Sequence, residues 1–230
     1  MVGVQKLITI DGPAGCGKST VTRGLAARID GVAFSSGCVY RAVTYGALNG
    51  GCDLQDTASV VAWAEAGHLQ LVPRDGEIRV EIDGTDPGAE LHTPEVTSEI
   101  HWVSSAAELR AAVLQFQRDI RSDAVIVAEG RDLGTVVYPD APVKIFLTAS
   151  LEVRAQRRWQ EWGKEHDLEE IIADIRQRDQ RDRERDVAPL KAADDAVTVD
   201  TSTLTVDEVI GAIEKEIPDR WIPRKPHGST

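Results

Sequence analysis

The chain has 230 residues, of which 26 are Lys or Arg and 38 are Asp or Glu, so its formal net charge is −12. This acidic balance disfavours a general nucleic-acid binder, which needs a positive field. With 42% hydrophobic and 28% charged residues, the composition is that of an ordinary globular protein, and the length suggests either one large domain or one core with an inserted subdomain. Three sparse cysteines, and the lack of a secretory leader or an apolar run near the ~18 residues of a membrane span, predict a cytoplasmic protein.

Apolar periodicity in the N-terminal half predicts strands that alternate with helices. The predicted elements are a strand at 6–10, a Gly-rich turn at 11–19, a helix at 18–29, a strand at 31–35, a helix at 37–48, a helix at 57–67 with Thr57 as its N-cap, and an antiparallel hairpin within 69–82. The hairpin is indicated by period-two alternation and by Asp-Gly turn pairs.

The C-terminal half continues the alternation. It predicts a helix capped by Ser105 and Glu108, a buried strand at 124–128, a strand at 143–148, a helix from Ser150 towards Gly163, a charged helix at 168–185, a strand at 196–199, and a helix capped by Thr205 and Glu208 that runs to 217. The tail from Pro218 is predicted to be irregular. Alternating strands and helices indicate an α/β fold, a doubly wound five-stranded parallel sheet with helices on both faces.

The turn after the first strand carries a phosphate-binding motif. Residues 12–19 match G-x-x-x-x-G-K-[ST], with a strand before and a helix after. Its glycines let backbone N–H groups face phosphate oxygens, and the helix N-terminus adds positive charge. The predicted nucleotide-binding residues are Gly12, Pro13, Ala14, Gly15, Cys16, Gly17, Lys18, Ser19 and Thr20. Lys18 would neutralise the β and γ phosphates, the Ser19 hydroxyl would bind Mg²⁺, and Cys16 is either a small filler or a reactive thiol.

Two further segments bear on which molecule receives the phosphoryl group. Tyr40 and Arg41 follow the second strand, where they are either helix surface or part of a ligand site. Arg131 and Asp132 leave the buried strand 124–128 and face either the cleft or a structural ion pair.

The segment 154–185 is rich in arginine but electrically balanced. It holds nine basic and nine acidic residues, so a solvated, salt-bridged face is the simplest interpretation. However, Arg178, Asp182 and Arg185 are spaced to lie on one helical stripe. Together with Arg154, Arg157 and Arg158 on the preceding helix, they could form a closing lid that neutralises phosphate and excludes water.

The chain resembles the bacterial cytidylate kinases, which are P-loop nucleoside monophosphate kinases, over residues 5–217. The resemblance is carried by the phosphate loop, by Ser36-Gly-Cys-Val-Tyr-Arg41, by Gly130-Arg-Asp-Leu-Gly-Thr-Val-Val137, by 139–150, and by Arg178-Asp-Gln-Arg-Asp-Arg183. It implies transfer of the ATP γ-phosphoryl group to CMP or dCMP, with Mg²⁺. It also implies an acceptor-binding insert at 37–103 and a lid at 154–185 on a core of 1–36, 104–153 and 186–217, followed by a tail at 218–230.

The resemblance also implies residue roles. Arg41 and Arg131 would grip the CMP phosphate, with Ser36 and Tyr40 lining that site; Arg110 and Asp132 would read cytosine; Arg178 and Asp182 would hold the sugar; Arg185 would hold the phosphates; and Arg157 and Arg158 would belong to the lid. His101 stands where the family commonly places a small hydroxyl residue that contacts the base. The set expected to act in catalysis is Lys18, Arg131, Arg157, Arg158 and Arg185, in a monomer that binds ATP and CMP or dCMP.

Other functions leave different signatures. Another small-molecule P-loop kinase, acting on a different monophosphate or on dephospho-coenzyme A, would share the phosphate loop. A GTPase switch needs Asn-Lys-x-Asp, but the single asparagine, Asn49, is followed by Gly50. A nucleic-acid module is disfavoured by the net charge and by the neutral 154–185 segment.

Overall fold

The computed structural model describes residues 6–164 and 166–223. The strands are β1 (Leu7–Asp11), β2 (Val32–Ser35), β3 (Leu69–Arg74), β4 (Glu77–Ile82), β5 (Ile126–Gly130), β6 (Val143–Thr148) and β7 (Val197–Asp200). The α-helices are α1 (Lys18–Arg28), α2 (Ser36–Asn49), α3 (Thr57–Glu65), α4 (Pro94–Ser105), α5 (Ala107–Arg118), α6 (Leu151–Glu161), α7 (Leu168–Glu184) and α8 (Val206–Glu214). Over these described ranges, no helix is both long and apolar enough to span a bilayer.

All seven strands form one sheet in the order β3-β4-β2-β5-β1-β6-β7. The five strands from β2 to β7 in this order run parallel, as predicted. The structure adds that the hairpin extends this sheet, because β4 pairs in parallel with β2 through Ala33–Glu77 and Phe34–Ile78. The carboxyl ends of β1, β2 and β5 therefore lie side by side, and the loops that follow them meet at one edge.

The sheet is covered on both faces, as alternation along its strands requires. Leu7 and Ile126 face one hydrophobic cluster, which includes side chains of α2, α3 and α5. Ile8 and Val127 face the opposite cluster, which includes side chains of α1 and α8. Burial of apolar side chains on both faces fixes the strand ends that carry the polar loops.

The predicted hairpin forms around Asp75 and Gly76. Both residues have positive φ (52° and 77°), the combination found in a type I′ turn. The turn is closed by the Arg74–Glu77 pair. Pro73 belongs to β3, the outermost strand, and lies opposite Ile78 of β4.

Two capping predictions are wrong, and others are confirmed. Ser105 is the last residue of α4, and α5 begins after Ala106 without a side-chain cap. The side chain of Asp56, rather than Thr57, caps α3 by accepting from the Ser59 N–H. The predicted caps at Ser150 and at Thr205–Glu208 are present. A 3₁₀ turn forms at Asp219–Trp221 in the tail predicted to be irregular, while residues 224–230 lie outside the described residues.

Candidate active site

The phosphate-loop motif connects β1 to α1 and packs tightly on its surroundings. A Cβ at Gly12 would lie 2.2 Å from the Leu147 carbonyl oxygen of β6, so only glycine fits there. Gly15 has a φ of 75°, and a Cβ there would lie 3.2 Å from both Cβ and the carbonyl oxygen of Arg154. The backbone path therefore depends on these glycines, as the motif predicted.

Lys18 is the first residue of α1, and its side chain is buried inside the loop. Its Nζ donates to the Pro13 carbonyl over 2.7 Å and lies 3.7 Å from Cys16 Sγ. Burial lowers the pKa of the Lys18 ammonium, and the charges of Arg131 and Arg178 lower it further. These two arginines therefore act on the phosphate loop, although they are far from it in sequence.

A carboxylate meets the Ser19 hydroxyl at the ends of neighbouring strands. Ser19 Oγ donates to Glu129 Oε1 over 3.1 Å, and Ser35 Oγ donates to the same oxygen over 2.6 Å. Ser35 and Glu129 are paired in register as the last residue of β2 and a late residue of β5. Glu129 was not among the site residues predicted from the sequence, although its place at the end of a buried strand beside β1 was the available signal.

A hydroxyl and one carboxylate fit Mg²⁺, which keeps several waters and shares its remaining positions with substrate phosphates. Within residues 6–164 and 166–223, no group of three or more His, Cys, Asp or Glu side chains forms a metal cluster. The donor set thus suits an ion delivered with a nucleotide better than a resident metal held entirely by protein.

Four arginines from separate segments influence one another's charge. Burial, together with the charges of Arg131, Arg158 and Arg41, lowers the pKa of Arg178 to about 10. Across the two described ranges, no hydrogen-bond or ion-pair partner is found for Arg178, and the Nε of Arg158 is buried without a partner. Like charges gathered with unused donors favour an anionic ligand.

Arg131 is the member of this set that holds a carboxylate. Its Nε donates to Asp182 Oδ2 over 3.0 Å, and its Nη1 donates to the Gly130 carbonyl over 3.2 Å. Burial alone would lower the pKa of Arg131, but the carboxylates of Asp182 and Glu129 raise it above its ordinary value. Arg131 therefore stays charged beside Lys18.

Asp132 turns away from Arg131 into a second cluster. Its two oxygens accept from Arg110 Nη2 and, over 3.3 Å, from Arg185 Nη2. The Arg110 guanidinium lies over the Tyr40 ring, 5.3 Å from its centroid. Arg131 thus holds Asp182 of α7 and adds positive charge at Lys18, whereas Asp132 is engaged in an ion-pair cluster with Arg110 and Arg185.

The remaining acceptor-side residues occupy different positions. Arg41 Nη1 donates to the Leu91 carbonyl and to Thr97 Oγ1, each over 2.9 Å, which ties α2 to the start of α4. Ser36 Oγ borders Gly130, since a Cβ there would lie 2.6 Å from it. His101 makes its contacts within α4, where its Nδ1 lies 2.7 Å from the Ser98 carbonyl and its ring packs on Trp102. Thr20 is exposed on α1.

The two arginines expected in the lid differ in their attachment. Arg157 donates from Nη1 to Thr201 Oγ1 over 2.9 Å and from Nη2 to the Thr201 carbonyl over 2.6 Å. Thr201 Oγ1 in turn donates to the Cys16 carbonyl over 3.1 Å. Arg158 stacks on Trp162, 4.7 Å from its ring centroid. Arg157 is therefore linked to the phosphate loop through Thr201, a contact that sequence reasoning missed.

Asp11 anchors the segment that carries Arg131 and Asp132. Its two carboxylate oxygens accept from the backbone N–H groups of Leu133 (2.9 Å) and Gly134 (2.7 Å). Burial raises the pKa of Asp11 to about 6, against the lowering effect of these two hydrogen bonds. From the sequence, Asp11 stood only at the start of the Gly-rich turn and had no predicted role.

A family model described as cytidylate kinase matches residues 8–219. The cytidylate kinase of Exiguobacterium sp. (strain ATCC BAA-1283 / AT1b) is 42% identical over 215 residues, which cover 92% of this chain and 96% of that protein. The cytidylate kinase of Pasteurella multocida (strain Pm70) is 41% identical over 207 residues, which cover 89% of this chain and 91% of that protein. The resemblance identified in the sequence is thereby confirmed.

A solved structure supports the fold. An uncharacterized protein from Eubacterium ventriosum ATCC 27560 aligns with a TM-score of 0.51 over 93% of this chain and 98% of its own. Its sequence identity is 14%, so this likeness concerns the fold alone.

Proposed function

The chain belongs to the cytidylate kinase family, and from this membership we propose that it transfers the γ-phosphoryl group of ATP to CMP or dCMP. The bond between the γ-phosphorus and the bridging oxygen breaks, a phosphate oxygen of the acceptor forms the new bond, and ADP and CDP or dCDP leave. The observation that carries the proposal is that the charges of Arg131 and Arg178 act on Lys18 inside the phosphate loop, because two anionic substrates must meet there.

The donor side is assigned to residues 12–20. Backbone N–H groups of the loop and the N-terminus of α1 bind the triphosphate, and Lys18 exchanges its Pro13 carbonyl for phosphate oxygens. Arg157, held by Thr201 beside the loop, borders this side. Ser19 and Glu129 would hold Mg²⁺, which when bound neutralises phosphate charge.

The acceptor side is assigned to Arg131, Arg41 and Arg178, which bind the acceptor phosphate, with Ser36 beside it. Guanidinium groups suit this role because their planar forks bind phosphate bidentately and stay protonated. Asp182 orients Arg131 through their hydrogen bond and, with Arg178, faces the sugar. Arg158 and Arg185 add positive charge as the phosphoryl group moves.

Cytosine recognition is assigned to the cluster of Arg110, Asp132 and Tyr40. Asp132 is acceptor-only when ionised, so it can pair with the exocyclic amino group of cytosine but not with the carbonyl that uracil carries there. Because both of its oxygens are engaged by arginines, base binding exchanges one of these contacts for the amino group. His101 remains a predicted base contact on α4.

No general base is required. The second pKa of a phosphate monoester is about 6, so the acceptor phosphate is already largely dianionic at neutral pH. The work of the protein is to position two anions, neutralise the charge that spreads over the transferred group, and keep water out. The region 154–185 is proposed to provide this closure, and 37–103 to present the acceptor.

We further propose that the protein acts as a monomer in the cytoplasm. Cys16, Cys38 and Cys52 are free thiols, which supports a reducing compartment.

The decisive test is a coupled ADP-release assay with ATP, Mg²⁺ and each of CMP, dCMP, UMP, AMP and dephospho-coenzyme A. We expect the highest kcat/KM with CMP or dCMP. Equal or faster turnover with one of the other acceptors would refute the assignment to cytidine nucleotides and favour a kinase of another small molecule.

A further inference from the structure

Arg154 joins three segments of the chain near the phosphate loop, although the sequence placed it only among the arginines of the candidate lid. It lies in the first turn of α6 and is 5% exposed. Its Nε donates to the Ala149 carbonyl over 3.1 Å, and its Nη1 donates to the Ala14 carbonyl over 3.0 Å and to Asp179 Oδ2 over 2.6 Å. One side chain thus connects the end of β6, the phosphate loop and α7.

The contact with the loop bears on the groups that bind phosphate. The carbonyl of Ala14 and the N–H of Gly15 belong to one planar trans peptide, so they point in opposite directions. By holding the carbonyl, Arg154 keeps the Gly15 N–H on the side of the loop away from itself. The close approach of Gly15 to the Arg154 backbone fixes the same peptide sterically.

Asp179, the ion-pair partner of Arg154, lies on α7, the helix that carries Arg178 and Asp182 of the acceptor side. Asp179 is 5% exposed and directly follows Arg178 on α7, and Asp182 comes one turn later. A buried ion pair contributes little net stability, because desolvation offsets the attraction. In addition, Asp179 Oδ1 is buried and has no partner within the described part of the chain, which costs further stability. Stability alone therefore does not account for the pair, whereas a role in position does.

We propose that Arg154 and Asp179 are positioning residues whose buried ion pair couples the phosphate loop to α7, so that nucleotide at the loop orders Arg178 and Asp182 for the acceptor. This inference rests on the proposed function, because it assigns α7 to the acceptor side. It predicts that donor nucleotide alone changes the dynamics of α7, before any acceptor binds.

Hydrogen–deuterium exchange of the full chain with ADP and Mg²⁺ tests the coupling. In the wild type, we expect ADP to slow exchange both in peptides that cover 12–19 and in peptides that cover 168–184. In Asp179→Asn and Arg154→Lys, we expect ADP to slow exchange in 12–19 only. Asp174→Asn and Arg181→Lys are the matched controls, because both positions are exposed on α7, and they should behave as the wild type.

Kinetics provide a second readout that a purely structural role would not move. At a temperature where circular dichroism shows each variant folded, kcat should fall tenfold or more in both ion-pair variants, because small displacements of positioning groups are costly. Arg154→Lys keeps the positive charge beside Asp179, but a lysine cannot bond to all three acceptors of Arg154. If Asp179→Asn does not fold, Arg154→Lys alone tests whether the ion pair couples the phosphate loop to α7.

Two results would overturn the proposal: α7 protection by ADP that persists in the ion-pair variants, or a wild-type α7 that does not respond to ADP. Every kinase that uses ATP to phosphorylate a small molecule releases ADP. The exchange result therefore stands even if the assay shows that CMP is not the acceptor, which would refute the proposed function alone.

Discussion

Arg131 Nε donates to Asp182 Oδ2 over 3.0 Å, which joins the residue that follows β5 to the last turn of α7. The two side chains come from segments that sequence reasoning could relate only through family resemblance. Each is about one-fifth exposed, so the pair lies at the rim of the cleft, where it can reach ligand. It is one of the direct links between the core of the proposed site and the proposed lid, beside the contact of Arg185 with Asp132.

The first prediction concerns Lys18→Ala. Loss of the ammonium should reduce kcat by a factor of about 10² to 10³ or more, as removal of a preorganised charge does at other transition states. Because burial and two neighbouring arginines lower the pKa of Lys18, its charge is held at a cost, and the variant should unfold at the same temperature or higher. Steady-state kinetics and thermal unfolding measure both effects.

Lys191→Ala is the matched control, because Lys191 is exposed. Its kcat should equal that of the wild type. Turnover by Lys18→Ala at the wild-type rate would contradict the assignment of the phosphate loop.

The second prediction concerns Asp132→Asn. An amide offers a donor as well as an acceptor, so the ratio of kcat/KM for CMP over UMP should fall about tenfold or more. The variant leaves Arg110 and Arg185 without their carboxylate and should lose roughly 3 kcal/mol or more of stability. Selectivity is therefore measured below the unfolding transition, with exposed Asp140→Asn as the control. An unchanged CMP to UMP ratio would remove Asp132 from base recognition.

The third prediction concerns Glu129→Gln. The amide keeps the shape of the side chain but loses its charge, so the Mg²⁺ concentration that gives half-maximal rate should rise several-fold. A Mn²⁺ titration in the presence of ADP, monitored by electron paramagnetic resonance, should show weaker metal binding in this variant. This measurement does not depend on turnover. Exposed Glu216→Gln should leave both measurements unchanged. Equal metal affinity in Glu129→Gln and the wild type would show that Ser19 acts without this carboxylate.

The fourth prediction concerns the ionisation of Asp11. Its pKa rises from an ordinary 3.8 to about 6 on folding, mainly through burial. Between pH 4 and pH 6 the folded protein keeps a proton that the unfolded chain has lost, so the contribution of Asp11 to stability falls as pH rises, and it is constant above that window. The change amounts to about 3 kcal/mol across the window.

Carbon-13 NMR of the aspartate carboxyls should find a titration near pH 6 that is absent in Asp11→Asn. The difference in unfolding free energy between the wild type and this variant should shift in favour of the variant as pH rises from 4 to 7. If every aspartate resonance titrates near pH 4, burial does not raise the pKa of Asp11.

Local patterns were sufficient to predict most of the fold. Period-two alternation and Asp75-Gly76 predicted the hairpin because the turn depends on the residues within it. The pairing of β4 with β2 was not predicted, because it depends on a contact between Ala33 and Glu77, which lie 44 positions apart. The failed cap at Ser105 shows that a local motif does not fix where a helix ends, since α4 runs through Ser105 and α5 begins after Ala106.

In the candidate site too, contacts within one segment could be predicted, whereas contacts between distant segments could not. The loop at 12–19 is one continuous segment, so its residues and their arrangement followed from spacing. Glu129, Thr201 and Arg154 contact that loop from other elements. Of the three, Glu129 had a sequence signal, its place at the end of a buried strand, whereas the contacts of Thr201 and Arg154 depend on packing between distant segments. Asp132 shows the limit most clearly, because its neighbour Arg131 suggested a shared role while the strand end turns the two side chains to different partners.

The position of Pro73 on the outermost strand has a consequence for how copies of the protein meet one another. Arg74 and Glu77 form the hydrogen-bonded pair that closes the hairpin, so the next residue, Pro73, directs its nitrogen away from β4. A strand from another molecule would find no N–H donor at that point and would meet the charge of Arg74 beside it. The proline therefore protects this side of the sheet against edge-to-edge aggregation, and it does so without removing a bond from the hairpin itself.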